Sequence, residues 1–206
     1  MLFEDALAKI KGLNEELMNK AQKRLDSLTK PLGSLGRLED IARRIVGITG
    51  EMFPKVDNKA VIIMCSDNGV VEEGVSQTSK DVTSSVTRNF MKGITGINVL
   101  SRHAGSSIVV VDIGVDDDLN VDGILNRKIR KGTWNIAKGP AMTREEAVKA
   151  IEVGIETVRE LKEKGVNLLG TGEMGIGNTT TSSAVAAVLT GGEVEGLVGR
   201  GAGLST

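Results

Sequence analysis

At 206 residues, 40% of them hydrophobic, the chain is long enough to bury one substantial core. A formal charge of −1, with acids and bases interleaved, excludes the basic field that nucleic acid or a membrane surface needs. An aromatic content of 2%, with no tyrosine, excludes a base-stacking platform. No apolar run reaches the length of a membrane span, and Glu4 and Asp5 stand where a secretory leader carries bases, so the expected setting is cytoplasmic.

Residues 1–55 read as a helical segment without strands. Apolar residues recur at helical spacing over Asn14 to Leu28 and again over Leu38 to Ile48, with the breaker-rich loop Thr29 to Gly36 between them. Such a pair is expected to pack as an N-terminal helical appendage outside a sheet, with Lys30 and the Gly33-Ser34 turn in an ordinary interhelical loop.

Residues 56–206 alternate strands with helices and read as an α/β nucleotide-binding core. Lys59 to Cys65 is a continuous β-branched run of the kind buried in parallel sheets, and it delivers Asp67 and Asn68 to its carboxyl end, where α/β sheets bind ligands. Helices are expected over Lys80 to Met91 and Ile97 to Ala104, then a strand from Ser107 to Asp112. Asp116-Asp117-Asp118 reads as a solvated turn, and the partial alternation of Lys128 to Asn135 as a short strand. Thr143 and Glu146 form a capping box opening a helix that runs to about Lys164, followed by a strand from Val166 to Leu169. The pattern predicts a three-layer, Rossmann-like parallel sheet.

The single cysteine and single histidine exclude an internal disulfide and any zinc site built from Cys and His of this chain alone. Cys65 reads as core and His103 as a residue near a helix end. The chemistry therefore rests on carboxylates, hydroxyls, amides and backbone.

The most informative stretch is Gly170 to Thr181, read as a glycine turn between the last strand and an alanine-rich helix from Ser182 to Leu189. Glycines there let backbone amides approach an anion at the start of a helix. Gly170, Gly172 and Gly175 spell the dinucleotide fingerprint, while Gly172 and Gly177 spell the P-loop frame with Asn178-Thr179 in place of Lys-Ser/Thr. Lacking that lysine, and with Glu173 inside the loop, the stretch suits a single phosphate over Gly175 to Thr179 with Glu173 toward a sugar hydroxyl. Close packing of a glycine-rich turn is the competing reading.

Four motifs carry a resemblance: Lys30 to Glu39, Asp67-Asn68-Gly69-Val70 with Glu73 to Ser76, Asn135 to Met142, and Gly172 to Thr180. Together they resemble the nicotinate-nucleotide:5,6-dimethylbenzimidazole phosphoribosyltransferases of cobalamin nucleotide-loop biosynthesis. The resemblance implies transfer of phosphoribose from nicotinate mononucleotide to an aromatic base, giving α-ribazole 5'-phosphate and nicotinate in a homodimer, with no metal or organic cofactor. It implies that Gly175, Ile176, Gly177, Asn178 and Thr179 serve the phosphate and Glu173 the ribose. Asp67, Asn68, Thr78 and Val86 would line the base pocket. Relatives often carry serine and glutamine at the positions of Thr78 and Val86. They also usually continue for another third of their length, in which the glutamate assigned as general base lies. Two alternatives stay open: a catalytically silent mononucleotide-binding module, and an NAD-dependent oxidoreductase using Glu193 or Glu195.

Overall fold

A computed structural model of the protein describes residues 1–201, which divide into two compact units, Met1–Asp57 and a second beginning at Asn58. The first unit holds α1 (Leu2–Ala8), α2 (Glu15–Asp26) and α3 (Arg37–Thr49). The Asn14 side chain caps α2 by accepting the Leu17 amide at 3.0 Å. Helices α2 and α3 pack through Met18, Ala21 and Val46, and a side chain at Gly47 would come within 2.6 Å of Met18. The breaker-rich loop is closed onto α3 by Lys30, whose Nζ lies 2.8 Å from Glu39 Oε1; the same oxygen accepts the Leu35 amide at 3.1 Å. The Lys30 ammonium and then that amide hold the Glu39 carboxyl below its ordinary range.

The second unit is an α/β fold around four parallel strands in the order β3-β2-β1-β4. They are β1 (Lys59–Ser66), β2 (Ser106–Gly114), β3 (Ile124–Asn126) and β4 (Leu168–Met174). Helices α4 (Asp81–Lys92) and α5 (Gly96–Ala104) connect β1 to β2, and α6 (Arg144–Glu163) connects β3 to β4. Beyond β4 come α7 (Asn178–Thr190) and the short α8 (Val194–Leu197). Strand periodicity sorts the core into two faces. Ile63 and Cys65 of β1 and Val110 of β2 face Val86 and Phe90 of α4 and Ile97 of α5. Their neighbours Ile62, Met64 and Val111 face Val153 and Leu161 of α6. The result is the three-layer arrangement expected from the alternating pattern. The Thr143–Glu146 box caps α6 in both directions, at 2.8 and 3.1 Å.

Two expectations are corrected. First, the last strand does not end at Leu169 but runs to Met174, with Gly170 and Gly172 paired to Val61 and Ile63 of β1. These two glycines are strand residues beside β1: a Cβ at Gly170 would stand 3.3 Å from Val61. Only Gly175 and Gly177 lie in the turn, and α7 begins at Asn178, four residues before Ser182.

Second, Lys128 to Asn135 is not a strand. Arg127, Ile129 and Gly132 donate backbone bonds to Asp112, Ile113 and Gly114, and Thr133 donates to Asp67. Left-handed Gly132 (φ 63°) thus turns the segment across the ends of β2 and β1. The alternation there records anchoring, since Lys128 Nζ sits 3.1 Å from buried Asp112 and bonds the Val115 carbonyl at 2.7 Å. The acidic triple is the exposed turn expected, and its carboxylates form surface ion pairs: Asp116 with Lys80 and Asp117 with Arg88, each at 2.8 Å, and Asp118 with Lys131 at 2.9 Å.

Candidate functional site

The carboxyl ends of the neighbouring strands β1 and β4 bring the loop after Ser66 against the turn after Met174. Contact is at backbone distance: a Cβ on Gly175 would stand 2.2 Å from the Ser66 carbonyl, so only glycine fits. Gly177 adopts φ 81° as it opens α7, and no side chain caps that helix start.

Both backbone groups of Ile176, in the middle of the turn, are held by side chains from elsewhere. Thr83 Oγ1 of α4 accepts its amide at 3.0 Å, and Asn68 Nδ2 donates to its carbonyl at 3.0 Å. Glu173, exposed at the end of β4, accepts a short hydrogen bond from the Asn178 side chain. Glu173, Asn178 and Thr179 line an open groove of about 680 Å³ with Val75, Ser183 and Arg200.

Asp67 occupies a different hollow, of about 310 Å³, with Asn68, Gly69, Lys131 and Thr133. It is 6% exposed, and its Oδ2 accepts the Asp116 amide at 2.7 Å. Oδ1 is buried without a hydrogen-bond partner. Burial pushes the Asp67 carboxyl above its ordinary range, against the opposing pull of the Asp116 amide and the nearby Thr83 hydroxyl. Cys65, fully buried, has its thiol pushed up to about 12 by desolvation, which leaves it a core residue. His103 lies in the last turn of α5. No group of three or more His, Cys, Asp or Glu among the described residues is arranged to hold a metal ion.

Of the residues singled out from sequence, Gly175 to Thr179, Glu173 and Asn68 gather around the turn, with Asp67 next to Asn68. Thr78 lies half-buried between a 3₁₀ turn at Gly69–Glu73 and α4, its amide bonded to Ser76 Oγ at 3.1 Å. Val86 faces the sheet and packs into the first core. Sequence reading missed Thr83, which with Thr87 forms a buried polar pair one turn apart on α4. It also missed a clamp joining two of the quoted motifs. Asn135 Nδ2 bonds Glu73 at 2.6 Å, and Lys138 reaches Glu72 at 3.0 Å and Glu73 at 3.5 Å.

Parallel strands in this order, with a glycine turn opening a helix at their carboxyl edge, define a Rossmann-like α/β protein. The chain belongs to the phosphoribosyltransferase family whose sequence model matches residues 10–206. It is 71% identical over 205 residues to the nicotinate-nucleotide–dimethylbenzimidazole phosphoribosyltransferase of Ruminiclostridium cellulolyticum and, at the same level, to that of Acetivibrio thermocellus. Each alignment covers 100% of this chain and 58% of the relative, so the chain spans less than two thirds of their length. The solved structure of CobT from Thermus thermophilus superposes with a TM-score of 0.89 at 42% identity, covering 92% of this chain and 57% of that one. No helix among the described residues is long and apolar enough to cross a membrane.

Proposed function

We propose that the chain binds nicotinate mononucleotide and takes part in moving its phosphoribosyl group to an aromatic nitrogen base of the dimethylbenzimidazole class, the reaction for which its relatives are named. The observation that carries this reading is the turn at Gly175–Gly177. Its close backbone approach and uncapped helix start suit one phosphate, and Glu173 stands beside it in the same groove. In this reading the stretch Gly175 to Thr179 borders the phosphate through amides other than those of Ile176 and Asn178, which are bonded to Thr83 and Gly175, and Glu173, oriented by Asn178, receives a ribose hydroxyl. Asp67 and Asn68 border the acceptor side. The base nitrogen forms a bond to the anomeric carbon as the bond to nicotinate breaks, nicotinate leaves with the electron pair, and the azole proton passes to a general base. Holding both partners in line lowers the barrier by removing the entropic cost of their encounter.

The dinucleotide reading is not favoured, because Gly170 and Gly172 belong to the strand and cannot cradle a pyrophosphate. A homodimer and a cytoplasmic setting belong to the same proposal. Its test is incubation with nicotinate mononucleotide and 5,6-dimethylbenzimidazole, with chromatographic detection of nicotinate and of the new base nucleotide alongside a binding titration. Binding of nicotinate mononucleotide supports the reading, and product formation extends it to turnover. Absence of binding overturns it.

A further inference from the structure

Two stitches join the 3₁₀ turn Gly69–Glu73 to the segment that crosses the ends of β2 and β1. At the start of the turn the Gly69 amide donates to Thr133 Oγ1 at 3.1 Å, and the backbones touch, since a Cβ on Gly69 would stand 2.6 Å from the Thr133 carbonyl. At its end Asn135 Nδ2 donates to Glu73 Oε1 at 2.6 Å, a charge-assisted bond. Asn135 is buried, and its Oδ1 accepts the Ala137 amide at 3.0 Å, which fixes the direction in which Nδ2 points. Between the stitches, Val70 and Val71 press on the turn after β4. From the place where a Cβ on Gly177 would stand, Val71 Cγ2 is 2.8 Å away and Val70 Cγ1 3.6 Å. Left-handed Gly74 (φ 72°) then returns its amide to the Val71 carbonyl at 3.0 Å, and Val75 enters the wall of the groove lined by Glu173, Asn178 and Thr179.

We propose that Asn135 is a positioning residue for the nucleotide groove: through Glu73 it holds Val71 against Gly177 and Val75 in the groove wall. Lys138 reaches Glu72 and Glu73 as well, but all three side chains are exposed, and ion pairs of that kind contribute little. The brace therefore rests on Asn135. Without its Nδ2 donor the Gly69 stitch still holds the start of the turn, while the Glu73 end is released. The loss then falls on the groove wall and the backing of Gly177 rather than on the sheet. The effect on nucleotide binding rests on the functional reading above; the effect on the free protein does not.

The test compares nicotinate mononucleotide affinity with folding stability in the full chain. Asn135→Ala and Glu73→Ala should each bind it about tenfold more weakly, and the double variant no more weakly than either single one, because both changes remove the same bond. Glu73→Gln keeps an acceptor oxygen and should recover most of that affinity. Asn98→Ala in α5 removes another buried bond, from Nδ2 to the Phe90 carbonyl at 3.0 Å, and should lower the urea midpoint without changing affinity. In the unliganded, isotopically labelled protein, the amide resonances of Val71, Val75 and Gly177 should shift in Asn135→Ala while those of α5 stay in place. If Asn135→Ala does not fold, Glu73→Ala carries the same comparisons from a side chain that is 40% exposed. Wild-type affinity in the folded variants, additive losses in the double variant, or an equal loss in Asn98→Ala overturns the proposal. If the wild type does not bind nicotinate mononucleotide, the functional reading falls and the amides alone decide: unmoved Val75 and Gly177 resonances overturn the positioning role, and shifted ones support it.

Discussion

The Asn68 side-chain amide donates to the Ile176 carbonyl at 3.0 Å, tying the loop after β1 to the turn after β4 across 108 residues of sequence. Its carbonyl oxygen lies 3.4 Å from Thr181 Oγ1, inside the first turn of α7, so one side chain holds both the turn and the helix it opens. Asn68→Ala should therefore cost about 1 kcal/mol of stability, read as a lower urea midpoint at unchanged slope, and weaken nucleotide binding. A variant with wild-type midpoint and affinity would show that the turn is held without it.

Two glycines make opposite predictions. Gly175→Ala places a methyl group 2.2 Å from the Ser66 carbonyl, so backbone must move, at about 1–3 kcal/mol. Gly154 lies inside α6 with nothing within 4 Å of its added Cβ, and Gly154→Ala should stabilise by about 0.4–1 kcal/mol through loss of unfolded-state freedom. Thermal denaturation of the pair checks both signs.

The raised pKa of Asp67 sets a pH dependence of stability whose sign is fixed. The folded state holds this proton more tightly than the unfolded chain. The contribution is complete below the unfolded value, about 3.9, and is lost as pH rises through the higher folded value. Asp67→Asn has no such loss, so its stability relative to the wild type should increase as pH rises through that window. A difference that does not change with pH would contradict the burial account.

Cys65 should resist alkylation in the native protein, because its thiol is fully buried and pushed up to about 12. Mass analysis after treatment with iodoacetamide should show label only under unfolding conditions.

Much of the fold was legible because one face of each element carries its own signal. The Lys59 to Cys65 run, the core stripe of α4 and the Thr143–Glu146 box each specify local structure without help from distant residues. The errors share a cause. Gly170 and Gly172 read as turn because glycine is a turn former, yet both are paired strand residues, Gly170 packed closely beside the Val61 side chain. Lys128 to Asn135 alternates because its residues anchor to strand ends, a distinction visible only once β2 is in place. Thr83 was invisible for the same reason: its partner, the Ile176 amide, lies on another element.

The most direct test of the account follows backbone amides while nicotinate mononucleotide is added to the isotopically labelled chain. The account predicts that the resonances of Gly175, Gly177, Asn178 and Thr179 move first and saturate together, and that Gly177→Val, which forces a β-branched residue into φ 81° and to 2.8 Å from Val71, abolishes the response. Perturbations confined to other elements, or a folded Gly177→Val protein that binds as the wild type does, would contradict it.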